Sequence, residues 1–498
     1  MSAEVPKEAD SQRQILKATS ISGSASIINV LTSIAKVKLI ALLVGPTGIG
    51  LMGLYQRVMS LVATIAGFGL AQSGVRQVAA SPDPDELARV RRALFLVSLL
   101  LGLIAWAILW GIRERVSMSV FSDTTHATAI GWLGLGVLFT SITTSQTALL
   151  QGLRRITDLA KVSVLGSLLG ALIGLGLIAW LGQDGIVWML IATPLTGSLV
   201  AWRYTSRLAR PPAIPISLRE LFPRWRALLV MGIAIMAANV VTNLVQLDIR
   251  STLTEDLGLP SAGHFEASWQ VSMTYIGFVL TAMGTDYFPR LTAAIQDRER
   301  SNRLVNEQAE VALMLAAPVL IGLAGLAPIA IHVLYSADFG PSIELLRIQA
   351  LGDTLKILSW PLAFVFLAHG ANRIYLIGEL LWNAVFFALV TALLPSLGLV
   401  ATAIAYVVSY LAYLVFTLVV ARRINGLVLE HKVVAQTAAI FVIVLALIGL
   451  SYVSELATWI AGATATLVVG LLSLGRLARM LGGQGRVGRL LARLDFRR

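Results

Sequence analysis

Apolar and polar stretches alternate along the whole chain. About fourteen apolar segments run roughly 20–44, 48–74, 93–112, 127–150, 161–182, 185–204, 227–251, 262–289, 308–334, 341–367, 374–395, 398–420, 433–453 and 456–475. Each holds near the 20 residues that a helix needs to cross hydrocarbon. The pattern therefore predicts an all-α polytopic membrane protein with about 14 transmembrane helices. The segments at 262–289 and 341–367 are richer in polar residues than the rest. Gly45-Pro46-Thr47-Gly48 reads as a tight turn, and Gln183-Asp184 and Pro395-Ser396 as similar short connections.

The positions of the charges add an orientation. Lys and Arg fall in every second connection, which with the two termini hold 31 of the 39. The connections between these hold only Arg113, Arg115 and, at a helix end, Arg250. Cytoplasmic loops accumulate cations, so the pattern predicts a bacterial inner-membrane protein with both termini in the cytoplasm. Trp106, Trp110, Trp180 and Trp188 lie near the outer helix ends, as an interfacial belt would. Glu4, Glu8 and Asp10 give the amino end mixed charge, so the first apolar segment is expected to stay as an anchor.

Composition agrees with this reading. A hydrophobic fraction of 57% with 13% charged residues lies outside the soluble range. The net charge of +12 follows from the loop asymmetry, so nucleic acid is not an expected partner. There is no cysteine, and the five histidines stand singly. Disulfides, thiolate chemistry and a metal site are thus not expected.

Shifted by 214 positions, the two halves match. Lys36 meets Arg250, Pro46 meets Pro260, Tyr55-Gln56 meets Trp269-Gln270, and Arg76 meets Arg290. Further matches set Gly152–Ile156 against Gly370–Ile374 and Gly185-Ile186-Val187 against Gly398-Leu399-Val400. The reading is a duplication of six helices. An even number keeps both copies in the same orientation, so the repeat is parallel, about an axis along the membrane normal. The expected organisation is a tail at 1–19, a first bundle at 20–204 and a linker at 205–226 bearing Pro211, Pro212 and Pro215. A second bundle follows at 227–422, then two additional helices at 423–475 and a basic tail at 476–498. Transporters built from such repeats place their substrate between them and work by alternating access.

The stretch Leu43-Val44-Gly45-Pro46-Thr47-Gly48-Ile49-Gly50-Leu51-Met52-Gly53-Leu54-Tyr55, continuing to Gly67-Phe68-Gly69-Leu70 and Val75-Arg76, resembles the opening of polysaccharide flippases. Asp286-Tyr287-Phe288-Pro289-Arg290-Leu291 resembles that family's motif at the end of the eighth helix. These belong to the multidrug/oligosaccharidyl-lipid/polysaccharide (MOP) exporter superfamily. Over residues 15–430 the chain is most similar to the O-antigen translocase (Wzx-type) branch. Fourteen helices occur in the related peptidoglycan-precursor flippases. The resemblance implies a MATE-like fold and transport of an undecaprenyl-pyrophosphate-linked oligosaccharide to the periplasmic leaflet. It also implies the lipid bilayer as surroundings and, as partners, a polysaccharide polymerase and chain-length proteins. The alternatives are a lipid II flippase, a multidrug or ion antiporter of the same superfamily, and a membrane glycosyltransferase or polymerase. The last class usually carries a sizeable external loop, and the connections here are short.

Several charges fall inside the spans. Lys36, Lys38, Arg57, Arg347 and Lys356 are intramembrane, with Arg250 at the outer end of its segment. A cation at the bilayer centre costs about 2.5–3.5 kcal/mol on insertion scales. Five facing lipid would cost on the order of 10 kcal/mol or more. Most are therefore expected to line a hydrated cavity or to pair with acids. Cations bind phosphate, so these six are the candidate substrate residues, with Lys36 and Arg250 equivalent under the repeat. Snorkelling to the headgroups is the competing reading for Lys36, Lys38 and Arg250. Glu344–Arg347 and Asp353–Lys356 are spaced i,i+3, so each pair can meet on one helix face. Asp353, Glu379 and Asp248 are candidates for H⁺ or Na⁺ coupling, because intramembrane carboxylates often mark ion relays. No other cofactor and no catalytic residue is expected. The run Thr140-Ser141-Ile142-Thr143-Thr144-Ser145-Gln146 is read as helix–helix hydrogen bonding or as a sugar contact.

Overall fold

The computed structural model describes residues 8–67, 70–81, 83–208 and 218–480. Its side chains are described from residue 28, leaving out 72, 209–235, 237–238, 278–286 and those from 478 onward. The expected linker prolines, the far end of the basic tail and the Asp286 side chain lie outside the described residues. The described residues form fifteen α-helices: α1 (Glu8–Gly67), α2 (Leu70–Ala79), α3 (Pro84–Phe121), α4 (Ala127–Gly152), α5 (Ile156–Leu181), α6 (Gly185–Thr205), α7 (Leu218–Leu257), α8 (Leu259–Ala294), α9 (Arg298–Gly325), α10 (Ala327–Leu334), α11 (Pro341–Ala368), α12 (Asn372–Leu397), α13 (Val400–Asn425), α14 (His431–Ser451) and α15 (Glu455–Met480). Most apolar segments read from the sequence lie on one of them, while 48–74 is divided between α1 and α2 and 308–334 between α9 and α10.

Ten helical stretches among the described residues are long and apolar enough to cross a membrane, and this is an integral membrane protein. Two of the ten, Ile28–Gly67 and Ile156–Thr205, run for 40 and 50 residues and are each broken in the middle. The first break is Gly45, at φ 61° and ψ −167°, a conformation open to a residue without Cβ. Pro46 then starts the next segment, where its missing N–H is no loss. The second break is a 3-10 turn at Gly182–Asp184. The expected turns at 45–48 and 183–184 thus interrupt the helices where the punctuation residues stand.

The duplication is written into the helix ends. Asp83 caps α3 by accepting from the Glu86 amide at 3.0 Å, and Asp297, 214 positions on, caps α9 by accepting from the Arg300 amide at 3.0 Å. Further along, the geometry corrects the register. Arg154 and Gly370 are the left-handed residues of equivalent turns, at φ 55° and φ 71°. The following amides close the same ring, Arg155 to the Leu150 carbonyl and Ala371 to the Phe366 carbonyl, both at 2.8 Å. Gly182 and Gly398 then end α5 and α12 with matching backbones. The common offset there is 216. Matching Gly152 to Gly370 and Gly185 to Gly398 follows residue identity, whereas the backbone pairs Arg154 and Gly182 with those glycines.

The chain divides into two compact units, Met1–Gly263 and His264–Arg498. In the first, α3 packs on α4, α5 on α6, and α7 on α1 and α3. Gly50 and Gly263 cross at backbone distance: a Cβ on Gly263 would fall on the Pro46 carbonyl oxygen, and one on Gly50 would fall on that of Leu259. In the second unit, α11 is buried along most of its length between α9, α13 and α14. The buried face of α9 is small, with Ala309, Ala312, Ala316 and Ala317, and this lets neighbouring helices approach. Gly325 on α9 meets Gly462 on α15 backbone to backbone. The loop before α14 is held by α9: Asn306 donates to the Val428 carbonyl at 3.0 Å and accepts from the Glu430 amide at 2.7 Å.

Candidate functional site

The nine candidate charged residues divide between the two units. Lys36, Lys38, Arg57, Asp248 and Arg250 fall in the first; Arg347, Asp353, Lys356 and Glu379 fall in the second.

In the first unit, Lys36 and Lys38 precede the Gly45 break of α1 and Arg57 follows it; all three are half-buried. Arg250 is enclosed, at 1% exposure, near the end of α7. Its Nη1 donates to the Gln246 carbonyl at 2.9 Å and to Gln246 Oε1 at 2.7 Å, one turn back on the same helix. Asp248, two residues before it, is exposed. The hydroxyls of α4 turn back on their own helix. Thr140, Thr144 and Thr147 donate to carbonyls four residues earlier at 2.8–2.9 Å, and Thr143 also reaches the Pro194 carbonyl of α6 at 3.3 Å. Their protons are thus committed to backbone, as in packed membrane helices. In the connection before α4, Tyr55 and His126 Nδ1 lie 2.8 Å apart. Burial holds the His126 pKa below its ordinary value, against the opposing pull of Asp123.

The second unit gathers three of its four charges. Asp353 has no exposed surface. Its Oδ2 accepts from Ser272 at 2.8 Å and from Tyr275 at 2.5 Å, both on α8, and its Oδ1 accepts from Tyr406 on α13 at 2.7 Å. Lys356, one turn along α11, lies within electrostatic reach of both Asp353 and Glu379. Its Nζ is 3.3 Å from Met273 Sδ and 5.3 Å from the centre of the Tyr410 ring, on the face that attracts a cation. Glu379 Oε1 accepts from Tyr413 at 3.1 Å, and Tyr375, one turn before it on α12, also bonds to it. The result is a carboxylate–ammonium–carboxylate set ringed by five tyrosines.

Arg347 stands apart from this set. The i,i+3 spacing expects it to meet Glu344, but its Nη2 pairs with Glu455 at the start of α15 and its Nε donates to the Ala324 carbonyl at 3.1 Å. Glu344 instead accepts from Tyr452 at 2.7 Å. The tertiary fold brings Glu455 to the face of α11 that bears Arg347. Arg347 thereby ties α15 to α11 within the second unit.

Sequence reading missed the tyrosines. Tyr406, Tyr410 and Tyr413 repeat at i, i+4 and i+7, one face of a helix, and Tyr375–Glu379 and Gln246–Arg250 are both spaced i,i+4. The signal was present. An aromatic stripe in an apolar helix reads first as core or interface.

The family model of polysaccharide biosynthesis proteins matches residues 39–344. The chain belongs to that family. The chain is 22% identical over 406 residues to the lipid III flippase of Escherichia coli (strain K12), an alignment covering 80% of this chain and 96% of that one. The lipid III flippase of Shigella flexneri matches to the same extent. Among solved structures, the fold is similar to that of the lipid II flippase MurJ in an inward closed conformation. That likeness has a TM-score of 0.72 at 13% identity, over 92% of this chain and 99% of that one. It is also similar to an inward-facing multidrug resistance MATE family transporter of the MOP superfamily, with a TM-score of 0.69 at 18% identity over 80% and 95% of the two chains. The all-helical MOP-type fold expected from the sequence is thus shown.

Proposed function

We propose that this protein is a flippase that carries an undecaprenyl-pyrophosphate-linked oligosaccharide, an O-antigen or similar surface-glycan unit, from the cytoplasmic to the periplasmic leaflet. The observation that carries this reading is the set of cations in the first unit. Arg250 is enclosed and hydrogen-bonded to a neutral amide, while Lys36, Lys38 and Arg57 are half-buried on α1. A pyrophosphate offers several anionic oxygens to such donors, and a charge-assisted hydrogen bond is roughly twice as strong as a neutral one. A carrier of cationic drugs needs acids in these places, so the charge favours a lipid-linked anion. The lipid III flippase relatives supply a lipid-linked substrate by analogy.

The proposed topology has fourteen crossings, both termini cytoplasmic and the bacterial inner membrane as location. Two six-helix bundles at 20–204 and 227–422 are joined by the linker at 205–226, and two additional helices at 423–475 precede the basic tail. The bundles work by alternating access. Lys36, Arg57 and Arg250 receive the pyrophosphate, with Lys38 beside them. Coupling to H⁺ or Na⁺ runs through Asp353, Glu379 or Asp248, and a polysaccharide polymerase and chain-length proteins act downstream.

Deletion of the gene tests the substrate. The expected result is loss of one surface glycan with its lipid-linked unit accumulating at the inner leaflet. A deletion strain with complete surface glycan and no second flippase removes the reading. Arrest of peptidoglycan synthesis, with lipid II accumulating instead, moves the protein to the lipid II class.

A further inference from the structure

The second unit holds two carboxylates and one ammonium in a single buried cluster, and the two carboxylates are built differently. Asp353 is fully enclosed. Three hydroxyls from two other helices, Ser272, Tyr275 and Tyr406, aim their protons at its two oxygens. An ionised carboxylate only accepts, and all three hydroxyls are placed to donate to it. An ammonium also lies one turn away, so the surroundings are arranged for a permanent anion. Glu379 is half-buried on α12 and bonds to Tyr413 and Tyr375. It retains access that Asp353 lacks, and two hydroxyls bond to it where three bond to Asp353.

The charge count separates the roles further. With Asp353 ionised and Lys356 protonated, the two cancel, and Glu379 alone decides the net charge of the cluster. Ionised, it leaves one uncompensated negative charge in a low-dielectric site, which is costly; protonated, it leaves the cluster neutral. The charged and titratable groups within reach of it are Lys356 of α11, Tyr375 of its own helix, and Tyr410 and Tyr413 of α13.

We propose that Glu379 is the group that gains and loses a proton in the second unit, and that Asp353 is its fixed counterpart, a permanent anion that holds Lys356. One proton enters at the Glu379 carboxylate from one side of the membrane, taking the cluster from −1 to 0. The same proton leaves to the other side, restoring −1. The bound ion is a proton and not sodium for two reasons. The ammonium within reach of both carboxylates repels a metal cation, and the oxygens of Asp353 are already filled by hydroxyl protons. Tyr413 acts as a positioning residue for the Glu379 carboxyl. The consequence for transport rests on the flippase reading; the proton binding itself does not.

The test is an infrared pH titration of the purified full chain in detergent. Wild type is expected to show a protonated-carboxyl band that titrates with pH, and Glu379→Gln is expected to remove it. Because Asp353→Asn alone leaves Lys356 unbalanced, the paired variant Asp353→Asn with Lys356→Met is used, and it is expected to keep the band. Tyr413→Phe is expected to keep the band with a shifted midpoint. A band that survives Glu379→Gln, or is lost only in the paired variant, overturns the proposal, as does its absence from wild type.

In cells whose surface glycan depends on this protein, a protonophore is expected to lower export by tenfold or more, and a sodium ionophore to leave it unchanged. Export that follows sodium alone overturns the assignment of the ion. If the deletion strain exports its glycan normally while the infrared band behaves as expected, the flippase reading fails and the proton site stands.

Discussion

The two units surround their candidate cations with different groups. In the first, Arg250 spends two hydrogen bonds on the neutral side chain and carbonyl of Gln246, and the α1 cations lie half-buried. In the second, Lys356 lies within reach of Asp353 and Glu379, and Arg347 is paired with Glu455. In the proposed reading, the half-buried cations of the first unit meet an anionic ligand, and the cations near carboxylates in the second serve the fold or an internal switch.

The strongest way to break this contrast is to remove charge from each unit in turn. Arg57→Ala is expected to lower glycan export by roughly 10–100-fold at normal membrane abundance, the equivalent of one charge-assisted hydrogen bond of about 1.5–3 kcal/mol. Lysine should restore part of the activity and glutamate should be worse than alanine, because phosphate is repelled. Normal export by both Arg57→Ala and Arg57→Glu would remove Arg57 from the path. Lys356→Met should act on stability instead. It leaves Asp353 without the nearby ammonium, which should lower the melting temperature in detergent. Adding Asp353→Asn should recover much of the melting temperature in detergent. If the double variant is no better than the single one, the two residues are not a compensating pair.

Smaller effects sharpen the picture. Gly263→Ala should destabilise by about 1–3 kcal/mol, because the new methyl would fall on the Pro46 carbonyl. Thermal unfolding in detergent reads it, and an unchanged melting temperature would show that the crossing at Gly50 opens freely. Arg347→Ala and Glu455→Ala should each cost about 1–2 kcal/mol, less than a fully buried pair because Glu455 is 43% exposed. Their double variant should lose little beyond either single one, and export at matched abundance should be near normal. Specific loss of export in Arg347→Ala would return Arg347 to the substrate residues.

The smallest effect is at His126. Its folded pKa is depressed by burial, so the neutral ring contributes stability above the ordinary histidine value, and that contribution is lost as pH falls through the depressed one. Wild type should lose somewhat more melting temperature than His126→Gln between neutral and mildly acidic pH. Equal losses would leave the Tyr55–His126 contact without a pH role.

What the sequence determined by itself was everything that depends on local composition and spacing. The helices, the breaks at Gly45 and at Gly182–Asp184, the duplication and the family motifs are legible because spanning hydrocarbon demands about 20 apolar residues, and turns demand particular backbone freedom. The equal capping by Asp83 and Asp297 came from the structure. The later offset was misjudged because glycine was matched to glycine, while the backbone places Arg154 where the second half has Gly370.

Tertiary structure alone decided which charges share a partner. Glu455 is 108 residues from Arg347, and Ser272, Tyr275 and Tyr406 are 81, 78 and 53 residues from Asp353. Spacing along one helix can offer Glu344 to Arg347. Only the packing of α15 against the neighbours of α11 brings in a carboxylate that takes its place, because a buried charge pairs with whatever opposite charge the fold sets beside it.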